Sequence, residues 1–272
     1  MKCANIFALS LSLLFYAGCG KDELDFSETD TDNDQREETR PAPEAGRVTV
    51  WSRSGDYDSA VFLPADYGLD VNKRYPLVLS LHGFNGSVLN TDHTQVGGER
   101  SGFIKQVWDT PLAQSFQGIV VAPDVFNGEN NENSLWDIDK LRGLITEASA
   151  RYQVDPQRIT VTGYSAGSIA AQQMAVRSRD LIAGIMPGAF DALIKEDPCS
   201  VDNFPVWSFG NSSDPLFQVQ IWRGVQEQVE SCANYSREFI LTVNENFCGH
   251  GCWDEHWARS DVQAWLVNQV RD

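Results

Sequence analysis

The residues best suited to covalent chemistry lie in the stretch Gly163-Tyr164-Ser165-Ala166-Gly167, a G-x-S-x-G pattern between an apolar run and a helix-like segment. In that setting the chain turns abruptly from strand to helix. The two glycines are needed because side chains there would clash, and the serine hydroxyl is left exposed as a nucleophile. The bland alternative is that Ser165 only caps the helix it opens. Serine is a weak nucleophile at its own pKa, so a base must take its proton and a carboxylate must orient that base. Four histidines are available: His82, His93, His250 and His256. Asp214, in Gly210-Asn211-Ser212-Ser213-Asp214-Pro215, is the leading carboxylate, and Asp191 is a weaker one. Asp214 could also serve as an N-cap for the segment opened by Pro215, a role compatible with catalysis.

These groups must be brought together by the elements around them. Residues 47–52 and 58–63 alternate like strands across a Ser54-Gly55-Asp56 turn, which predicts an entry hairpin. Tyr75–Leu81, 118–122 and 158–162 are continuous apolar runs, as expected of strands buried on both faces. Further strands are expected at 183–187, 205–210 and 237–243. Helices are expected at 102–114, 136–152, 166–178, 215–232 and 255–270. Alternation of this kind predicts a doubly wound, mostly parallel sheet with an N-terminal antiparallel hairpin.

On such a sheet the G-x-S-x-G turn is the nucleophile elbow of an α/β-hydrolase fold, whose chain order is serine, acid, histidine. His82 and His93 precede Ser165 and fall out. His250 lies in a loop after the last strand and is preferred as base; His256, about one turn into the last helix, is read as a surface or capping residue. Asp214 follows a strand at the carboxyl edge, where open α/β sheets bind ligands. The oxyanion of a tetrahedral intermediate needs fixed donors. The N–H of Ala166 is one. The N–H of Phe84 is the second, because Gly83 and Gly86 let that loop approach a substrate closely. His82 then packs beneath the loop. Trp136, Phe84 and Trp253 are expected near the pocket rim, where aromatic walls would suit an acyl group, a sugar or a polymer.

Composition bounds the setting. The formal net charge of −17 argues against nucleic acid, which requires clustered Lys and Arg. About half of the excess sits in residues 22–44, with ten acidic residues against two basic ones. Residues 20–46 read as a disordered acidic tether, since so few apolar groups cannot offset the entropy of ordering. Lys2, an apolar run over 6–16 and Ala17-Gly18-Cys19 predict a signal peptide over 1–18. The run is too short to span a bilayer. It resembles the lipobox of bacterial lipoproteins, with Tyr16 as a departure, and implies lipid on Cys19; an ordinary secretory signal is the alternative. Both put residues 47–272, the expected catalytic domain, outside the cytoplasm. The lipid would hold it on a bacterial membrane, at the outer membrane or cell surface. Cys199, Cys232, Cys248 and Cys252 remain for the folded part, which suggests two disulfides among three pairings.

Taken together, YPLVLSLHGFNGS, YQVDPQRITVTGYSAGS, FGNSSDP and GHGCW, spread from Tyr75 to Trp253, resemble secreted esterases related to polyhydroxybutyrate depolymerases and feruloyl esterases. The resemblance implies triad roles for Ser165, Asp214 and His250. It also implies hydrolysis of polyester, feruloyl or acetyl-polysaccharide, or small esters through an acyl-enzyme, without metal or organic cofactor. Two departures stand out: Ser168 where a glycine is usual, and the cysteines on either side of His250. The implied fold puts Cys199 and Cys232 at the bottom of the sheet and Cys248 and Cys252 at the top. It thus selects bridges 199 to 232 and 248 to 252 over a four-cysteine metal site. Peptide cleavage by the same triad, and a silent surface binding module that kept the fold, are the competing functions.

Overall fold

Long apolar runs can be buried only if neighbouring strands satisfy their backbone and helices cover both faces, and this is the arrangement adopted. The structure is a computed structural model that describes residues 44–52, 57–84, 86–90, 95–97, 102–108, 110–125, 136–245 and 248–272. The signal peptide, Cys19, most of the tether, the 54–56 turn and His93 lie outside the described residues. Eight strands form one sheet: β1 (Val48–Trp51), β2 (Ser59–Phe62), β3 (Tyr75–Leu81), β4 (Ile119–Pro123), β5 (Val154–Tyr164), β6 (Gly184–Gly188), β7 (Val206–Asn211) and β8 (Phe239–Asn244). Their order is β1-β2-β4-β3-β5-β6-β7-β8. β1 and β2 form the antiparallel hairpin, and β2 is antiparallel to β4. All pairings from β4 through β8 are parallel.

The period-2 alternation of β3 divides the core. Leu77, Leu79 and Leu81 face one cluster with α1 (Ile138–Arg151), α2 (Ala166–Arg177) and α3 (Val219–Glu230). Val78 faces the other, with Trp257 of α4 (Trp253–Trp257) and with Val262 and Leu266 of α5 (Ser260–Asn268). The sheet is therefore covered on both sides. Asp137 starts α1 by accepting the Asp139 and Lys140 N–H groups on its carboxylate.

Several expected elements differ. The helix expected at 102–114 is two 3-10 segments, Gly102–Val107 and Pro111–Gln114. Pro111 has no N–H to continue a helix and holds Thr110 extended at φ −119°, ψ 160°. The helix expected at 255–270 divides into α4 and α5 at Arg259, which is extended at φ −71°, ψ 135°. The Gln263 amide donates to the carbonyls of Trp257 and Ala258, which α4 leaves open at its end. The helix expected at 215–232 begins only at Val219, since Asp214 through Phe217 form a turn. β5 starts earlier than expected: Val154 pairs with Tyr75 before the register shifts. Among the described residues no helix is long and apolar enough to cross a membrane.

Candidate active site

The elbow after β5 is as sharp as its sequence requires. Ser165 stands at φ 52°, ψ −119°, a region that L side chains rarely occupy, at a cost of roughly 1–3 kcal/mol. Its side chain makes no capping bond to α2, which removes the bland alternative. Instead its backbone N–H donates to the Gly188 carbonyl at 2.9 Å, fixing the turn to β6. A Cβ at Gly163 would lie 2.6 Å from the Gly167 carbonyl carbon, and one at Gly167 only 2.4 Å from the Leu81 oxygen. Each glycine thus answers a specific close approach, and Ser168, one step on, is fully buried within α2.

The loop after β3 is built from beneath. His82 is fully buried; its Nδ1–H donates to the Gly83 carbonyl at 2.8 Å, and its Nε2 accepts the Val125 N–H at 3.1 Å. The Gly83 carbonyl also accepts the Gly86 N–H at 3.0 Å. Asp124 Oδ2 accepts the Ser87 hydroxyl at 2.8 Å and the Leu89 N–H at 3.0 Å. Burial raises the pKa of Asp124, but the adjacent His82 ring, 3.5 Å from Oδ1, and the bonds from the Ser87 hydroxyl and the Leu89 N–H outweigh it and hold the carboxyl below its ordinary value. Gly83 packs directly on the Tyr164 ring, and Phe84 is 59% exposed at the loop tip. The loop is therefore pinned next to the elbow.

On the far side, Asp214 is 4% exposed, and its Oδ2 accepts His250 Nδ1–H at 2.8 Å. Its Oδ1 accepts the Leu216 N–H at 2.8 Å, so both carboxylate oxygens are held. With Nδ1 donating, Nε2 is the acceptor of the neutral ring and can receive a hydroxyl proton. Ser165 Oγ and the His250 ring are not hydrogen-bonded to each other. They are linked through aromatic contacts: Trp253 stacks on Tyr164, the residue before Ser165, at 4.2 Å, and His250 meets Trp253 edge-on at 5.5 Å.

Asp191, the alternative acid, is instead paired with Lys195 and bonded to the Ala192 N–H. Two expectations need correction. Trp136 is 4% exposed and packs its ring against His82 at 4.8 Å and Tyr57 at 5.6 Å, so it supports the loop after β3 from below as a core residue, not a rim residue. His256 is not a surface residue. It is 1% exposed, stacked on Phe209 at 3.9 Å with Trp207 edge-on, because α4 turns its last residues into the core. The disulfides join Cys199 to Cys232 and Cys248 to Cys252. Sequence reasoning missed Asn211, whose side-chain amide reaches the His250 loop, and Asp124, whose one signal was its place just after the β4 run.

A cavity of about 460 Å³ opens beside Val48, Trp108 and Gln114. Val48 pairs with Phe62 and Phe62 with Val120, near the start of β4, so this cavity is remote from the carboxyl edge that carries the elbow. Its size is no guide to the chemistry.

The arrangement can be set beside known proteins. No family model matches the chain. A curated relative, poly(3-hydroxyalkanoate) depolymerase C of Paucimonas lemoignei, is 24% identical over 187 residues, covering 58% of this chain and 42% of that protein. The chain thus spans less than half the length of that relative. A thermostable esterase superposes over 82% of this chain and 63% of its own, with TM-score 0.61 and 20% identity. A feruloyl esterase module from Clostridium thermocellum covers 86% of this chain and 92% of its own, with TM-score 0.57 and 15% identity. The chain has the α/β-hydrolase fold. Ser165 follows β5, Asp214 follows β7 and His250 follows β8, each at the carboxyl end of its strand.

Proposed function

We propose that this chain is an extracytoplasmic serine esterase. Ser165 attacks the ester carbonyl while His250 Nε2 takes its proton. Asp214 holds the ring in the Nδ1–H tautomer and stabilises the imidazolium, and the N–H groups of Ala166 and Phe84 receive the oxyanion. The imidazolium then returns its proton to the leaving alcohol. Water, activated by the same ring, releases the acid. Trp253, partly exposed between Tyr164 and His250, borders the acyl site.

The observation that carries this reading is the pairing at 2.8 Å of a buried carboxylate with a histidine whose other nitrogen remains an acceptor, across one aromatic stack from a serine in an elbow conformation. The depolymerase and esterase likenesses support an ester as the bond cleaved. Two disulfides and the sequence over 1–19 support an oxidising, extracytoplasmic location with lipid on Cys19. The reading is tested by assaying the purified protein on p-nitrophenyl butyrate, methyl ferulate and a peptide anilide. Ester hydrolysis that drops at least about a thousandfold in Ser165→Ala and His250→Ala is expected. Undiminished hydrolysis by Ser165→Ala, or cleavage of the anilide alone, would exclude it.

A further inference from the structure

The loop that carries His250 is a small ring closed by Cys248 and Cys252, with Gly249 at φ 56° and Cys252 at φ 59°. A cross-link closes such a ring but does not set its orientation toward the sheet. That orientation comes from the end of β7. The side-chain amide of Asn211, the last residue of β7 and 3% exposed, donates to Cys248 Sγ at 3.0 Å and to the Gly251 carbonyl at 3.0 Å. Ser213 Oγ accepts the Gly249 N–H at 3.2 Å, and Asp214 Oδ2 accepts from His250. Each of the residues 248–251 is thus held by a side chain from the segment 211–214.

We propose that Asn211 is a positioning residue for His250, fastening both flanks of the ring so that the imidazole keeps its bond to Asp214 and its orientation toward the sheet. The proposal rests on the triad reading above. The amide orientation is dictated by its partners: turned over, Oδ1 would face the Gly251 oxygen, acceptor against acceptor. As placed, Oδ1 is buried with no partner among the described residues, an arrangement that is unfavourable unless the two donor bonds matter more. The backbone carbonyl of Asn211 also accepts the Asp214 N–H at 3.1 Å, so one residue sets the acid and the base in register. Proton transfer requires the base within hydrogen-bond reach of the hydroxyl, so a ring free to turn would slow the chemical step and leave substrate binding unchanged.

The test uses Asn211→Asp, which replaces donors by a carboxylate of the same shape, and Asn211→Ala, which removes the contact and carries the test if the aspartate variant does not fold. Rates on p-nitrophenyl butyrate are expressed per active site, counted by titration with a slow acylating ester. Both variants are expected to lose about tenfold or more in kcat with KM within about twofold. The acid limb of the kcat/KM profile should lie higher in pH for Asn211→Asp than for Asn211→Ala, because a new carboxylate stabilises the imidazolium. A kcat per titrated site within twofold of the parent in a folded variant would overturn the inference. Ser165→Ala and His250→Ala, measured alongside, separate the two failures. If they are inactive while the Asn211 variants match the parent, only the role of Asn211 falls; if they remain active, the triad reading falls and takes this one with it.

Discussion

Ser165 and the glycines around it concentrate much of the physical cost of this site in five residues. The positive φ of the serine is held because Gly163 and Gly167 let β5, α2 and the end of β3 approach to distances no Cβ would allow. Gly167→Ala would force a methyl to 2.4 Å from the Leu81 oxygen, a backbone atom with little freedom to yield. It should lower Tm by at least about 5 °C, which thermal unfolding would reveal; an unchanged Tm would contradict the packing described. His256 provides a second residue-scale expectation. Burial, with the Arg259 guanidinium nearby, lowers its pKa from 6.5 to about 3. The unfolded chain then binds more protons than the native state between those values. The stability from this group is complete above pH 6.5 and declines as pH falls toward about 3, by about 1.4 kcal/mol per pH unit. In His256→Phe this decline should be absent, so Tm measured from pH 7 to pH 4 should fall less steeply than in the parent.

At the scale of elements, legibility followed the density of local signal. β3, apolar except for Ser80 and bounded by Arg74 and His82, is readable to the residue. The hairpin, the parallel run and the elbow followed from period and punctuation. The two 3-10 segments stand where one helix is expected because Pro111 interrupts the chain between them, and the break at Arg259 carries no Gly or Pro. The inward turn of His256 was invisible for the same reason: it depends on how far α4 extends before α5 begins. Asn211 read as a strand end, since a side chain that reaches a loop 37 residues later leaves no local mark. The two disulfides divide their roles in a way that can be tested. Cys199–Cys232, with a separation of 33 residues, constrains the unfolded chain by about 3–4 kcal/mol in the loop-entropy account. Paired serine substitutions there should lower Tm by roughly 10 °C and leave kcat unchanged, whereas those at Cys248 and Cys252 should lower kcat with a smaller change in Tm.

Taken whole, the molecule separates support from chemistry. α1, α2 and α3 on one face and α4 and α5 on the other hold the sheet, while the carboxyl edge gathers the elbow, the His82 loop, Asp214 and the His250 ring. The two disulfides of the folded part suit an oxidising compartment. The claim on which the rest depends is that Ser165 is made nucleophilic by His250. Its most direct test is the rate of phosphonylation by a fluorophosphonate, with the modified residue located by mass spectrometry. A single adduct on Ser165 is expected, absent from Ser165→Ala and formed at least about a hundredfold more slowly in His250→Ala. An adduct on another residue, or an undiminished rate without the imidazole, would contradict the account.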